Sequence, residues 1–347
     1  MQPQKILVTG GAGFIGSHVV RALLAHYKVP VRVLHLPKEN LLNLQGLDVE
    51  LFPGDITDRA QVAAAIDGCD VVFHLAALYA LWLPDMSLMQ RVNVDGTNNV
   101  LRECRDQGVK RVVYTSSFAR FAGQGLDTAC TEKSPFNLQE SYYSRTKYEA
   151  HALAEAYARK GLDVVIVCPT CPLGPGDVGP TPTGRVLVEA FNTPVLLGIE
   201  TESNYIDVRD CATGHILALE KGRSGESYIL GGENYTHPDV VRRLQRIAGI
   251  HRRMVVMQPE WLRPMARLGV WMADHVTGKA PFTTEVELVI ARKGLVADAS
   301  KARHELGLQV RPLEETLHDA LAWFVEHSYI TDAEMVARFR GYGLQAA

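Results

Sequence analysis

The chain has 347 residues, 47% of them hydrophobic, six cysteines, and a formal net charge of −3 with no long run of one sign. That balance supports a large buried core, gives no electrostatic reason for a nucleic-acid partner, and does not describe a secreted disulfide scaffold. No apolar run reaches about 18 residues and no leader-like stretch precedes the first strand, so the expectation is a cytoplasmic protein without a transmembrane segment.

The first element is the apolar run Ile6-Leu7-Val8-Thr9, which ends in glycines at Gly10, Gly13 and Gly16. Val19, Val20, Leu23 and Leu24 then recur at helical spacing. Strand, tight turn and helix follow one another, and the opening helix turn suits a pyrophosphate through its free N–H groups and positive dipole end. Gly10 lets the chain turn, Gly13 lets backbone approach a ligand, and Gly16 lets helix and strand pack closely. Phe14 and Ile15 lie inside the same turn and are counted as cofactor-binding. A glycine triplet in this context is a dinucleotide fingerprint.

Residues 31–35 read as the second strand, ending in His35, with Lys38 three residues on. No Asp or Glu stands at the strand end to hydrogen-bond the adenosine ribose. His35 and Lys38 could contact a 2′-phosphate, which leans the reading to NADP over NAD; equally, His35 could be only a strand-end surface residue. Asp55 and Ile56 follow a third short strand, where Asp55 could accept from an adenine amino group or cap the next helix. The fourth strand ends in His74-Leu75-Ala76-Ala77, whose small Ala76 and Ala77 let a cofactor lie against backbone; His74 reads as a packed strand residue. Helices over 86–107, a fifth strand ending in Thr115-Ser116-Ser117, a helix over 140–160 and a sixth strand at 162–167 complete the alternation. The fold class is α/β, a Rossmann-type doubly wound parallel sheet.

From Cys168 the texture turns loop-rich and the chain leaves for a smaller, mainly helical substrate lobe. The expected division is a dinucleotide domain at 1–172, rejoined by 206–232, a lobe at 173–205 and 233–330, and a tail at 331–347. Pro169 and Thr170, at a strand end, join the cofactor-binding set. Cys168 and Cys171 form a C-x-x-C with no second ligand pair at zinc spacing, so no metal site is expected and both read as packing or loop residues.

Tyr143 and Lys147 stand four apart on one helix face. Tyrosine titrates near ~10 and is a poor acid or base at neutral pH. A neighbouring ammonium and a cationic nicotinamide would favour its phenolate. Ser117, the last hydroxyl of its strand end, would hold the substrate oxygen.

Thr9–Gly16, Asp55, His74–Ala77, Asn93-Val94-Asp95-Gly96-Thr97, Tyr114–Ser117 and the Tyr143/Lys147 pair, in that order, resemble the extended short-chain dehydrogenases/reductases over nearly the whole chain. The similarity is strongest to the branch holding dihydroflavonol reductases, 3β-hydroxysteroid dehydrogenases and hopanoid-associated sugar epimerases. Resemblance implies Tyr143 as general acid/base, Lys147 as ribose ligand and pKa modifier, and Ser117 as hydrogen-bond donor to the oxyanion, with Thr115 or Ser116 assisting. Asn93 would organise the site, and a homodimer would form through helices 86–107 and 140–160. One departure matters. Sugar-nucleotide epimerases carry an arginine before the returning helix to hold the nucleotide pyrophosphate, and here that run is Ser203-Asn204-Tyr205-Ile206-Asp207-Val208. A nucleotide sugar would lack that anchor unless Arg185 or Arg209 substitutes.

The lobe is rich in apolar residues, either core or pocket wall, so the expected substrate is a mostly apolar small molecule. Tyr79, Trp82, Ser117, Cys171 and Arg185 are its candidate contacts. Arg263 and Arg267 interrupt the apolar set Trp261–Met272 as in a helix lying on a membrane surface, which suggests peripheral membrane contact. The overall expectation is an NAD(P)-dependent oxidoreductase interconverting a secondary alcohol and a ketone, with coupled decarboxylation open. The alternatives are a sugar epimerase or a non-catalytic dinucleotide-binding protein.

Overall fold

A strand covered on both faces must be apolar throughout, and that is how the central strands of this protein read. The computed structural model describes residues 2–193 and 195–339. The first half runs β1 (Ile6–Thr9), α1 (Phe14–His26), β2 (Val31–His35), β3 (Glu50–Pro53), α2 (Arg59–Ile66), β4 (Val71–His74), α3 (Ser87–Gln90), α4 (Thr97–Asp106), β5 (Arg111–Thr115) and α5 (Tyr142–Arg159). The second runs β6 (Val164–Pro169), β7 (Cys171–Leu173), α6 (Pro182–Asn192), β8 (Val195–Ile199), β9 (Glu202–Asp207), α7 (Val208–Lys221), β10 (Ser227–Leu230) and β11 (Glu233–Thr236). It continues through α8 (His237–Ala248), β12 (Arg253–Met257), α9 (Arg263–Met272), α10 (Glu285–Lys293), α11 (Leu313–Glu326) and α12 (Ala333–Phe339).

Seven strands form one parallel sheet in the order β10-β6-β5-β4-β1-β2-β3. Alternate side chains leave opposite faces. Leu7, Leu34, Val72, Val112 and Ile166 pack under α2, α4 and α5. Ile6, Val8, Val33, Phe73, Val113 and Val165 pack under α1 and α7. Each such side chain contributes about 1.5–3 kcal/mol of burial, so the two faces together hold the sheet. The chain order reverses at β1, which lies between β4 and β2, and this opens a crevice at the carboxyl ends of the strands.

The fold is thus a Rossmann-type doubly wound sheet with a helical C-terminal portion. The later segments add two small sheets, β11-β9-β7 and β12-β8. The expectation of a mainly helical lobe passes over β12, a half-exposed strand whose burial does not alternate. A third core gathers Leu187, Phe191, Val240, Leu244, Leu317, Leu321 and Phe324 from α6, α8 and α11. Met335 and Phe339 of α12 join it, so residues 333–339 are packed; residues 340–347 of the expected tail lie outside the described residues.

Ion pairs fasten the entry of α7. Asp207 is wholly buried and caps that helix through the Arg209 N–H. Burial opposes its charge, yet Arg209 at 2.8 Å and Arg311 at 3.6 Å hold its carboxyl below the usual range. Arg209 also pairs with Asp319 at 2.7 Å, and Arg311 with Asp210 at 2.8 Å.

Candidate active site

The crevice holds a cavity of about 560 Å³. Its wall brings together Gly10, Gly13, Phe14, Ile15, Gly16, His35, Asp55, Ile56, Ala76, Ala77, Tyr79, Ser117, Tyr143, Lys147, Pro169, Thr170 and Cys171. Three predicted residues do not line it. Lys38 is exposed beyond the strand end, while Glu39 takes a place in the wall and accepts the Leu36 N–H at 3.0 Å. Trp82 turns away and gives its Nε1–H to Asp274 at 2.8 Å, leaving Leu81 on the cavity side. Arg185 is exposed on α6, whereas Thr181 and Thr183 of the same turn face inward.

The glycine turn is built for close approach. Gly10 has φ +71°, and a Cβ there would lie 2.7 Å from the Ala76 nitrogen. A Cβ on Gly16 would lie 2.0 Å from the Gly10 carbonyl oxygen. Gly13 is the N-cap of α1 and offers no side-chain acceptor, so the first-turn N–H groups are left for a ligand. A dinucleotide pyrophosphate fits this cradle, which any Cβ at Gly10 or Gly16 would fill. His35 is bonded to the Leu36 carbonyl at 2.9 Å. Asp55 accepts the Thr57 N–H, and the cap of α2 is Asp58.

From the turn a hydrogen-bond chain runs to α5. Thr97 Oγ1 donates to the Asn93 carbonyl at 2.7 Å, so His74 Nε2–H donates to Thr97 at 3.0 Å and His74 Nδ1 accepts from Thr9 at 2.7 Å. Thr9 Oγ1 in turn accepts the Ala76 N–H at 3.2 Å. Burial holds His74 neutral, its pKa down to about 3. Asn93 lies in a π-helical turn, Arg91–Gly96, between α3 and α4. It accepts the Leu78 N–H and donates to Leu78 O at 3.0 Å and Thr146 Oγ1 at 3.1 Å. Thr146 donates to the Tyr143 carbonyl at 2.8 Å.

Ser141 caps α5 and so sets the phase that points Tyr143 and Lys147 into the cavity one turn apart. Burial pushes the Tyr143 phenol up to about 12, with Ser117 drawing it back, the reverse of the shift toward phenolate expected from the Lys147 ammonium. Lys147 is 3% exposed, donates to the Thr115 carbonyl at 2.9 Å, and is lowered by burial to about 8. The other two strand-end hydroxyls are engaged elsewhere: Ser116 meets His151 at 2.8 Å, and Thr115 meets His215 at 3.0 Å. Ser117 is therefore the hydroxyl left beside the phenol. Tyr79, whose ring centroid is 4.6 Å from that of Tyr143, covers it. Burial drives both Cys168 and Cys171 up to about 12, which suits inert thiols rather than a redox pair.

The same wall also carries the apolar Leu81, Leu88, Val92, Phe118, Leu138, Ile290 and Leu295. Periodicity alone could not reveal these residues, because they come from five separate segments. Among the described residues, no helix is long and apolar enough to cross a membrane.

Residues 6–231 match the family described as the NAD dependent epimerase/dehydratase family. A Synechocystis protein provisionally named dihydroflavonol 4-reductase is 36% identical over 332 residues, covering 93% of this chain and 95% of its own. Sterol demethylase protein B of Methylococcus capsulatus is 31% identical over 327 residues, covering 93% and 99%. The crystal structure of gox2253 superposes with a TM-score of 0.83 at 36% identity, covering 94% of this chain and 100% of that one.

Proposed function

Because this chain belongs to the NAD-dependent epimerase/dehydratase family and is an NAD(P)-dependent oxidoreductase of the extended short-chain type, we propose that it interconverts a secondary alcohol and a ketone on a largely apolar molecule. The observation that supports this reading is that one cavity takes in the glycine turn, Ser117, Tyr143 and Lys147 together with a largely apolar set of side chains. A nucleotide sugar would meet no arginine there: Arg209 is engaged by Asp207 and Asp319, and Arg185 stands outside the wall. The names of the sterol and flavonol relatives support an apolar substrate of sterol, terpenoid or phenolic type.

The nicotinamide cofactor, when bound, supplies or accepts the hydride. In reduction, Ser117 and Tyr143 hydrogen-bond the carbonyl oxygen as it gains charge, and Tyr143 gives it the proton. The raised phenol is fully protonated at neutral pH and so is ready to act as the acid. In oxidation the alcohol proton would pass to the phenolate form of Tyr143, which the cationic nicotinamide ring and the Lys147 ammonium would favour once the cofactor is bound. Lys147, buried beside the phenol's helix turn, would hold the ribose hydroxyls. Where the ketone product carries a β-carboxylate, loss of CO₂ would follow with no further group required. The NADP expectation rested on a missing strand-end carboxylate and on His35 and Lys38; Lys38 does not line the cavity, and Glu39 in the wall supports NAD as the working cofactor.

Tyr143→Phe is expected to lower turnover at least roughly a hundredfold while leaving cofactor affinity unchanged. Coenzyme fluorescence titration beside a ketone-reduction assay checks both halves, and near-normal turnover would overturn the mechanism. Mass spectrometry of ligands that co-purify with the protein would identify the substrate class directly.

A further inference from the structure

The segment from Trp261 to Phe282 carries its apolar side outward. Trp261, Met265, Leu268 and Met272 recur at i, i+4, i+7 and i+11, and so share one face of α9 and the turn before it. Trp261 is 68% exposed, Leu268 59% and Trp271 55%, and Val276 and Phe282 extend the patch. The inner side buries little. Leu262 and Ala266 join Leu288 in a small core apart from the others, with the partly buried Ile199 and Met257 packed against it. A helix facing water has the reverse arrangement, and a contiguous apolar patch of this kind marks a binding surface.

The charges beside the patch indicate what covers it. Residues 260–285 hold Arg263, Arg267 and Lys279 beside the carboxylates Glu260, Asp274 and Glu285, and Glu260 faces Arg292 at 4.0 Å. Asp274 is engaged by Trp82. Arg267 pairs with Glu285 at 2.9 Å, an exposed contact, while Arg263 has no carboxylate partner among the described residues. Neither Trp261 nor Trp271 finds an acceptor for its indole N–H among the described residues. Exposed tryptophans with free N–H groups, aliphatic neighbours and a basic flank match the boundary between headgroups and acyl chains of an anionic bilayer.

We propose that this face docks on an anionic lipid surface and that docking brings the cavity mouth to the membrane. The two are joined directly, since Trp82 is bonded to Asp274 of the docking segment and its neighbour Leu81 lines the cavity. An apolar substrate would then pass from lipid to Tyr143 without crossing water. The delivery half rests on the proposed apolar substrate; the docking half does not.

Flotation with phosphatidylcholine vesicles containing roughly a third phosphatidylglycerol tests the docking. The wild-type protein is expected to float, to bind pure phosphatidylcholine less, and to release at high salt. The triple variant W261S/L268S/W271S should lose binding roughly tenfold, and R263Q/R267Q should lose its salt-sensitive part. Quenching of tryptophan fluorescence by brominated lipid tests the wild-type protein without any variant. Absence of both flotation and quenching overturns the proposal. So does a dimer of the wild-type protein that the triple variant dissociates while neither binds vesicles, which would make the face a contact between copies. Turnover of a water-soluble ketone without lipid separates the two readings: Tyr143→Phe should abolish it and leave flotation intact, and the triple variant should do the opposite.

Discussion

Two side chains in the cavity wall have energies that can be read with a sign. Lys147 is buried, and its ammonium falls from the ordinary 10.5 to about 8. The folded value lies below the unfolded one, so the unfolded chain holds more protons between those limits and stability rises with pH across that window. Below it the fold carries the full cost of a buried ammonium, on the order of 3 kcal/mol. Lys147→Met is therefore expected to melt above the wild-type protein at neutral pH, with the gap closing as pH rises from about 8 to 10.5. Calorimetry on the cofactor-free protein checks this, and a gap independent of pH would contradict it. Glu39, which lines the cavity, is proposed to act on the coenzyme instead. A carboxylate at the adenosine end disfavours a 2′-phosphate. The wild-type protein should prefer NADH, and Glu39→Gln should move the kcat/KM ratio toward NADPH roughly tenfold, the size of one short charge–charge contact in a partly wet site. An unchanged ratio would remove Glu39 from the coenzyme choice.

At the scale of elements, the glycine turn is where sequence and geometry agree most closely. Gly16→Ala would place a methyl 2.0 Å from the Gly10 carbonyl oxygen. α1 must then shift off β1, a loss of about 1–3 kcal/mol of the overpacking kind, and coenzyme affinity should fall with it. A thermal melt and a coenzyme titration that both stay at wild-type values would refute this. The turn was legible because its chemistry is local: strand, glycines and helix follow within a few residues. The Tyr143/Lys147 pair was legible for the same reason, being set by one helix period. Trp82 and Arg185 were misplaced because one residue of phase in a loop or on a helix decides inside from outside, and no local pattern records it. Glu39 was missed because it reaches the wall from a turn after β2, not from the strand end itself. The assignment of hydroxyls was equally hidden, since His151 and His215, which engage Ser116 and Thr115, lie 35 and 100 residues away in sequence.

For the whole molecule, the alternation of strands and helices sufficed to predict the parallel sheet, because each crossover repeats the same pattern. The lobe was less readable. Its core draws on α6, α8, α11 and α12, and its small sheets pair strands that share no common period. Association of two copies through α4 and α5 remains a proposal, to which the stacked and partly exposed Phe136 and Tyr148 near the start of α5 add an apolar contact. Sedimentation equilibrium is expected to give twice the chain mass of 38.3 kDa. A single-chain mass at micromolar concentration would dismiss the pairing.

The π-helical turn at Arg91–Gly96 has a consequence for how this chain can diverge. A π turn holds one residue more than the regular helix would need there. Losing one of those six residues would restore an ordinary helix across the turn and remove the offset at which Asn93 projects. Asn93 would then swing away from both Leu78 and Thr146. Gaps in a gene are usually tolerated in surface loops, but here a single-codon deletion inside a helix would uncouple the cavity floor from the helix that carries Tyr143. Descendants of this chain should vary freely in the lobe and keep the length of this turn.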